Sequence, residues 1–306
     1  MNICVDNIKK RSSGYGIFLA VLAAALYAIN APFSKILLDF VPPTMMAGLL
    51  YIGAGIGMGA VALFRKGIKT ENAEKPFTKK QLPYIIAMIV LDIAAPICLL
   101  FGLNYSEAAN AALLNNFEIV ATAIIALCVF KEKISLRLWL GTAFITLSCA
   151  LLSFSDISAF DFSVGSLFIL LACVFWGIEN NCTRVLSEND PLQIVLLKGV
   201  FSGGTSLLLS LVLGERAENF ISVVAVLAVG CIAYGFSIFV YVYAQRILGA
   251  ARTSAYYAVS PFIGTALSLA VFRVLSGTQY FAALLLMMIG AWLSSCDEPL
   301  FKKKKA

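Results

Sequence analysis

The sequence predicts an all-α integral membrane fold of ten transmembrane helices, arranged as two five-helix inverted repeats. Hydrophobic residues make up 60% of the 306 positions and charged residues only 13%, with a mean hydropathy of +0.90. Soluble domains carry about twice that share of charge, so much of this surface must face lipid. Ten apolar runs follow one another, and polar residues recur in register between the two halves of the chain.

Span length divides the chain, because a helix needs roughly 20 mostly apolar residues to cross the hydrocarbon core. The predicted spans are 15–38, 42–64, 82–103, 107–129, 136–154, 164–186, 191–213, 219–245, 250–272 and 279–296. Pro42 and Pro191 open the second and seventh helices, where a missing backbone N–H is tolerated. The first run is too long for a signal peptide and ends at Lys35 instead of at a small-residue cleavage site, so an uncleaved helix is predicted.

The internal repeat predicts two units, 1–154 and 164–306, joined by a linker at 155–163, with a basic tail at the end of the second unit. A shift of 149 positions aligns Tyr27 with Trp176, Asn30 with Glu179, Lys35 with Arg184 and Pro42 with Pro191. A shift of 142 positions aligns Ala109 with Ala251 and Lys131 with Arg273. Since each unit holds an odd number of helices, the second must cross the membrane in the opposite orientation, which gives an inverted repeat.

The basic residues predict the orientation in the membrane. With the N-terminus inside, nineteen of the 23 Lys and Arg residues lie on the cytoplasmic side. Three others, Lys35, Arg216 and Arg273, lie outside, and Lys198 lies within a helix. We therefore expect a multi-pass protein of the cell (inner or plasma) membrane with both termini in the cytoplasm.

Composition also bounds the chemistry. The sequence has no histidine, its eight cysteines show no CxxC spacing, and no Walker motif occurs. We expect no metal site, no cofactor and no direct use of ATP. The net charge of +6 mostly reflects topology, so no nucleic-acid partner is expected.

Ionisable residues inside the predicted spans are the main functional signal, since each costs at least a few kcal/mol in hydrocarbon. Glu118, Glu179 and Lys198 each lie at least two turns inside an apolar run. Lys198 is expected to pair with Glu179 or Glu118, either as a permanent structural pair or as a switch that solute or a proton opens.

Polar stripes at helical spacing accompany these charges on the first, fourth, sixth and ninth helices. The predicted solute pathway consists of Tyr27, Asn30, Asn115, Glu118, Trp176, Glu179, Asn180, Lys198, Tyr256, Tyr257 and Ser260. Tyr256 and Tyr257 would suit an amphipathic or aromatic solute. The alternative is that the uncharged members only hydrogen-bond between helices as packing contacts.

Three further acidic residues are interpreted differently. Asp92 is taken to lie near a helix end and Glu107 to open the fourth helix, so that both are structural. Glu132 lies in a basic turn and is interpreted as a gating or orientation element that pairs with Lys131, Lys133 or Arg137. The alternative for Glu132 is a solvated loop residue.

Three segments carry a family resemblance: Tyr243 to Ser254 (YAQRILGAARTS), Phe130 to Ile134 (FKEKI) and Trp176 to Asn181 (WGIENN). They resemble the ten-helix, EamA-like members of the drug/metabolite transporter superfamily. One departure is visible, because Arg273-Val274 stands where the first repeat has Lys131-Glu132. The resemblance implies transport of a small molecule and says little about which one.

The resulting hypothesis is a secondary carrier that works by alternating access and handles an amino acid or related amphipathic solute, with export favoured. Protons as coupling ions, facilitated diffusion and a homodimer all stay open, and the lipid bilayer is the expected surrounding. The alternative is a membrane-embedded enzyme or lipid-handling protein, although the sequence shows no GxSxG motif and no paired intramembrane aspartates. A passive scaffold is a third option, which the intramembrane charges disfavour.

Overall fold

A computed structural model describes residues 2–67, 77–104, 114, 117–153, 164–272 and 278–295. In this part of the chain the secondary structure consists of helices and contains no strands. The predicted linker 155–163, Glu107 and Asn115 lie outside the described residues.

Ten helical spans, numbered α1 to α10, occur among the described residues. The first five are α1 (Asn2–Ala28 and Asn30–Leu37), α2 (Pro43–Gly67), α3 (Leu82–Asn104), α4 (Phe117–Cys128) and α5 (Leu136–Ser153). The next three are α6 (Val164–Leu186), α7 (Pro191–Leu197, a π-helical segment Lys198–Gly203, and Gly204–Val212) and α8 (Phe220–Val229, a π-helical segment Gly230–Phe236, and Ser237–Leu248). The last two are α9 (Ala250–Tyr257 and Ser260–Phe272) and α10 (Thr278–Ser295).

The length and composition of these helices fit a membrane protein. Within the described ranges, six segments are long and apolar enough to cross a bilayer: Ser13–Ser34, Pro43–Arg65, Lys79–Leu99, Val164–Leu186, Pro191–Val212 and Phe220–Leu248. Three shorter apolar helices are Phe117–Cys128, Leu136–Ser148 and Phe281–Ser294. The predicted all-α membrane fold of ten helices is confirmed.

Helix packing follows a two-fold exchange between the halves. Each helix of the first repeat corresponds to the helix five places later, so α1 corresponds to α6 and α3 to α8. α3 packs along α6 and α1 packs along α8, and replacing each helix by its counterpart turns the first pair into the second. The α1–α9 and α4–α6 pairs interchange in the same way, whereas α2–α7, α4–α9 and α5–α10 map onto themselves. The ten helices therefore form two five-helix inverted repeats, and most of the contacts run between repeats.

Two helices are broken where a proline removes a backbone N–H. The first part of α1 ends at Ala28, whose carbonyl would need the missing N–H of Pro32. The first part of α9 ends at Tyr257, which stands in the same relation to Pro261. Tyr27 and Tyr257 thus lie beside helix breaks, and their ring centroids are 5.6 Å apart.

Helix α2 lies between α7 and α8 and contacts the π-helical segment of each. Gly199 of α7 packs against the backbone of Gly55 of α2, so closely that a Cβ on Gly199 would come within 2.5 Å of the Gly55 Cα. Gly230 of α8 packs in the same manner against the backbone at Leu50. These close approaches hold both π-helical segments against α2, and the segment of α7 begins at Lys198. Such π-helical turns often accompany functional sites.

Candidate functional site

Three buried charged side chains meet between α3, α6 and α7. The Nζ of Lys198 lies 2.7 Å from Glu179 Oε1 and 3.4 Å from Asp92 Oδ1. The exposed fractions of the three side chains are only 7% for Lys198, 6% for Glu179 and 2% for Asp92. We call these three residues the ion cluster. It joins a carboxylate of the first repeat to a lysine and a carboxylate of the second.

Hydroxyl groups complete the ion cluster. Thr183 Oγ1 donates to Glu179 Oε1 over 2.5 Å, and Ser202 Oγ donates to Asp92 Oδ2 over 2.7 Å. The Tyr51 hydroxyl donates to Asp92 Oδ1 over 3.1 Å. Both carboxylates therefore have a cation and at least one neutral donor, which is the arrangement that makes a buried charge tolerable.

The structure corrects the interpretation of Asp92. This residue lies near the middle of α3 (Leu82–Asn104), not at a helix end, and it is a partner of Lys198. Its position ten residues into the predicted span 82–103 was the signal that could have found it. The expected pairing of Lys198 with Glu179 is present.

A second polar region centres on Glu118 of α4. Asn180 Nδ2 donates to Glu118 Oε1 over 2.9 Å, and the Tyr241 hydroxyl donates to Asn180 Oδ1 over 3.2 Å. Unlike the ion cluster, Glu118 is half-buried, and no described residue forms an ion pair with it. We call Glu118, Asn180 and Tyr241 the Glu118 site.

Close packing of α6 on α4 positions the Glu118 site. Gly177 faces α4 so directly that a Cβ there would lie 3.0 Å from the backbone nitrogen of Thr122. The Asn181 Nδ2 donates to the carbonyl oxygens of Thr122, over 3.1 Å, and of Gly177, over 2.8 Å. These contacts fix how α6 is rotated against α4 and leave Asn180 opposite Glu118.

A row of five tyrosine rings connects the two polar regions. In order, the ring centroids are 5.1 Å apart for Tyr51 and Tyr234, 5.5 Å for Tyr234 and Tyr27, 5.6 Å for Tyr27 and Tyr257, and 4.8 Å for Tyr257 and Tyr241. One end of this tyrosine row donates to Asp92 and the other to Asn180. All five tyrosines are only half-buried, although they lie well inside their spans. They therefore keep part of their surface accessible, although they lie in the interior of their helices.

The structure brings together six of the predicted pathway residues: Tyr27, Glu118, Glu179, Asn180, Lys198 and Tyr257. Sequence reasoning did not assign Asp92, Tyr51, Ser202, Tyr234 or Tyr241 to the pathway. For the tyrosines, the positions alone could not reveal which helix faces converge, because that depends on the packing of α1, α2, α8 and α9.

The other predicted residues have different surroundings. Asn30 accepts a 2.7 Å hydrogen bond from Ser34 within α1. Trp176 is half-buried one turn before Asn180, and Ser260 is buried at the start of the second part of α9. Asn115 lies outside the described residues.

Tyr256 is buried away from the tyrosine row. It packs into a hydrophobic cluster with Leu19 of α1 and with Ala244 and Leu248 of α8. Adjacent residues of a helix point about 100° apart, so Tyr257 can face the row while Tyr256 faces the packing between helices.

Glu132 has a different partner from those the sequence suggested. Its carboxylate accepts hydrogen bonds from the backbone nitrogens of Ala250, over 3.0 Å, and Ala251, over 3.3 Å, at the start of α9. Gly249 precedes them with a φ of +85°, and a Cβ there would collide with the Glu132 carboxylate. Among the described residues, no ion pair joins Glu132 to Lys131, Lys133 or Arg137. Glu132 thus ties the turn between α4 and α5 to the start of α9.

Further contacts tie the helix ends on the side predicted to be cytoplasmic. Arg65 of α2 pairs with Asp190, the N-cap of α7, over 3.2 Å. Gln81 Nε2 donates to Asn189 Oδ1 over 2.5 Å, and the Arg246 guanidinium of α8 donates to the Asn189 carbonyl. These contacts connect both repeats at one end of the helices.

Comparison with known proteins identifies the fold that carries this site. The model of the EamA-like transporter family matches residues 14–154 and 163–296. This chain belongs to the EamA-like transporter family. The resemblance seen in the sequence is confirmed, and the chain is a multi-pass membrane transporter of a small-molecule solute.

Two relatives of this EamA-like transporter extend over most of its length. An uncharacterized transporter of Methanothermobacter thermautotrophicus (strain Delta H) is 25% identical over 276 residues, covering 85% of this chain and 80% of the relative. The uncharacterized transporter YyaM of Bacillus subtilis (strain 168) is 22% identical over 283 residues, covering 89% and 91%. A solved crystal structure at 16% identity superposes with a TM-score of 0.77 over 91% of this chain and 96% of that one, which shows a shared fold.

Proposed function

We propose that this EamA-like transporter is a secondary carrier that exports a small amphipathic metabolite by alternating access, with amino acids and related compounds as the first solutes to test. The polar interior supports this proposal most directly. Charged residues inside a membrane are expensive and usually functional. Here the ion cluster and the Glu118 site join α3 and α4 of the first repeat to α6, α7 and α8 of the second, the location expected for a site in an inverted-repeat carrier.

The proposed repeats are residues 1–154 and 164–306, joined at 155–163, with both termini in the cytoplasm of the cell membrane. The two-fold exchange of helix contacts supports this division. The bias of Lys and Arg toward one side supports the orientation.

The proposed pathway runs along the tyrosine row past Glu118 and Glu179. These two carboxylates would bind a coupled proton or pair with a charge on the solute. Glu132 would gate the cytoplasmic end, since it holds the start of α9. The roles of Asn30, Asn115, Trp176, Tyr256 and Ser260 stay predictions. The family relationship favours a carrier over an enzyme.

Counterflow in proteoliposomes tests the carrier proposal. Vesicles with purified protein are loaded with an unlabelled solute, and a labelled trace of the same solute is added outside. A carrier accumulates label transiently above equilibrium, whereas a channel or a scaffold does not. Repeating the assay with an inward or outward pH gradient shows whether protons are coupled to transport.

Matched variants separate the alternatives. Glu118→Gln and Glu179→Gln should abolish or strongly slow counterflow, while Glu188→Gln, an exposed carboxylate of the turn after α6, should not. Unchanged transport in both interior variants would contradict the assigned pathway. A chemically altered product in the vesicles would instead reveal an enzyme, and light scattering in detergent would show whether the protein is a monomer or a homodimer.

A further inference from the structure

Glu118 differs from every other buried or half-buried charge in the described membrane interior, because the fold does not balance it. Lys198 is the one basic side chain that is buried in the described part of the chain, and it already contacts both Glu179 and Asp92. Glu118 has instead the neutral amide of Asn180 as its hydrogen-bond donor. A half-buried carboxylate without a cation favours a ligand that brings one.

The charges of Glu118 and the ion cluster also argue against a carboxylate group on the solute. An amino acid carries both an ammonium group and a carboxylate, and the latter needs a cation or several donors. Lys198 cannot supply this cation without leaving two carboxylates buried and unpaired. A solute carboxylate next to Glu118 would face repulsion between like charges.

The groups near Glu118 suit a cation that donates hydrogen bonds. Tyr241 contacts Asn180 directly, and its ring packs against that of Tyr257, which packs against Tyr27. The faces of tyrosine rings attract ammonium groups.

We infer that the solute is an organic amine without a carboxylate, whose ammonium group binds between Glu118 and the faces of Tyr27, Tyr241 and Tyr257. This inference rests on the proposed carrier function and, among the amphipathic metabolites proposed there, narrows the solute class to amines and excludes amino acids. The ion cluster then holds the repeats together and takes no part in neutralising the solute.

Three solutes that share a phenol ring test this inference. Tyramine carries only the amine, tyrosine carries the amine and a carboxylate, and 3-(4-hydroxyphenyl)propionate carries only the carboxylate. Calorimetric titration of purified protein should show tyramine binding at least tenfold more tightly than tyrosine, a difference of about 1.4 kcal/mol. The propionate should not bind. Equal or tighter binding of tyrosine, or no binding of tyramine, would overturn the inference.

Glu118→Gln removes the charge while keeping an acceptor for Asn180, so it should weaken tyramine binding at least tenfold. Glu188→Gln is the matched control, since its side chain is 69% exposed and the variant loses the same charge. Tyr257→Leu should also weaken binding, whereas Tyr257→Phe, which keeps the ring face, should stay within a few-fold of the original. Equal affinity in all four variants would place the amine elsewhere and refute the assigned site.

The two proposals fail in distinguishable ways. If tyrosine shows counterflow and tyramine neither binds nor moves, the carrier function stands and the amine inference is wrong. If tyramine binds as expected at Glu118 but no solute shows counterflow, the amine site stands and the carrier function is wrong.

Discussion

The ion cluster and the Glu118 site start from neighbouring residues of α6 and differ in almost every physical respect. Glu179 and Asn180 are adjacent in sequence, but they point about 100° apart around the helix. Glu179 faces α3 and α7, where Lys198 balances it, while Asn180 faces α4 and α8, where it contacts Glu118 and Tyr241. The cluster is buried and paired, whereas Glu118 is half-buried and has only a neutral partner.

We propose on the basis of this difference that intramembrane charge has two uses in this protein. A charge that the fold balances can hold helices of different repeats together, because separating the partners exposes each to an apolar surrounding. A charge that the fold leaves unbalanced is available to a solute or a proton. We therefore expect variants of the first kind to lower stability as well as transport, and variants of the second kind to impair transport with little change in stability.

The largest expected effect comes from removing the lysine of the ion cluster. Lys198→Met leaves Asp92 and Glu179 buried without a cation, which should lower the free energy of unfolding by about 3–5 kcal/mol. Equilibrium unfolding in mixed SDS–detergent micelles measures this change. Lys133→Met, at an exposed position of the turn after α4, is the control. Equal stability of the two variants would contradict the stabilising role of the ion cluster.

The two carboxylates of the ion cluster should differ in the same assay. Glu179→Gln loses the 2.7 Å contact with Lys198 and should destabilise by about 1.5–3 kcal/mol, the range for hydrogen bonds to charged groups. Asp92→Asn should cost less, because Lys198 keeps its shorter pair with Glu179 and the amide oxygen can still accept from Tyr51, while the amide nitrogen can donate to the Ser202 hydroxyl. The reverse order would mean that Asp92 is the principal partner of Lys198.

Glu132, a carboxylate near the helix ends, provides an intermediate effect on stability with which the ion cluster can be compared. Glu132 caps two backbone N–H groups at the start of α9, so Glu132→Ala should destabilise by about 1 kcal/mol, as the loss of a helix cap does. The exposed Glu218→Ala provides the reference. A cost as large as that of Lys198→Met would show that the helix cap contributes as much to the coupling between repeats as the ion cluster does.

The smallest expected effect on stability, with the largest effect on transport, belongs to Glu118→Gln. The variant relieves the burial of a charge and keeps the bond from Asn180, so the free energy of unfolding should change by no more than about 0.5 kcal/mol. Counterflow should be lost. A stability loss comparable to that of Glu179→Gln would contradict the distinction between the ion cluster and the Glu118 site, since Glu118 would then be a structural partner as well.

The fold and about half of the candidate site could be predicted from the sequence. Span length, charge bias and the paired polar positions predicted ten helices in two inverted repeats, and the packing pairs agree. Glu118, Glu179 and Lys198 were found because a charge within an apolar run is conspicuous. Asp92 carried the same signal and was misread, while Tyr51, Tyr234 and Tyr241 carried no signal of their own, since tyrosines also occur at membrane interfaces and in packing contacts.

The ten membrane crossings can be predicted from sequence alone, because hydrocarbon thickness and the cost of charge in lipid act on short stretches of chain. The sequence also determined which few charges lie in the interior. Which of them are balanced depends on the tertiary structure: Lys198 reaches Asp92 because the π-helical segment of α7 packs against α3, and Glu118 meets Asn180 because Gly177 lets α6 approach α4 closely. Pairing of charges depends on the rotation and separation of helices far apart in sequence, and these follow from packing between the repeats.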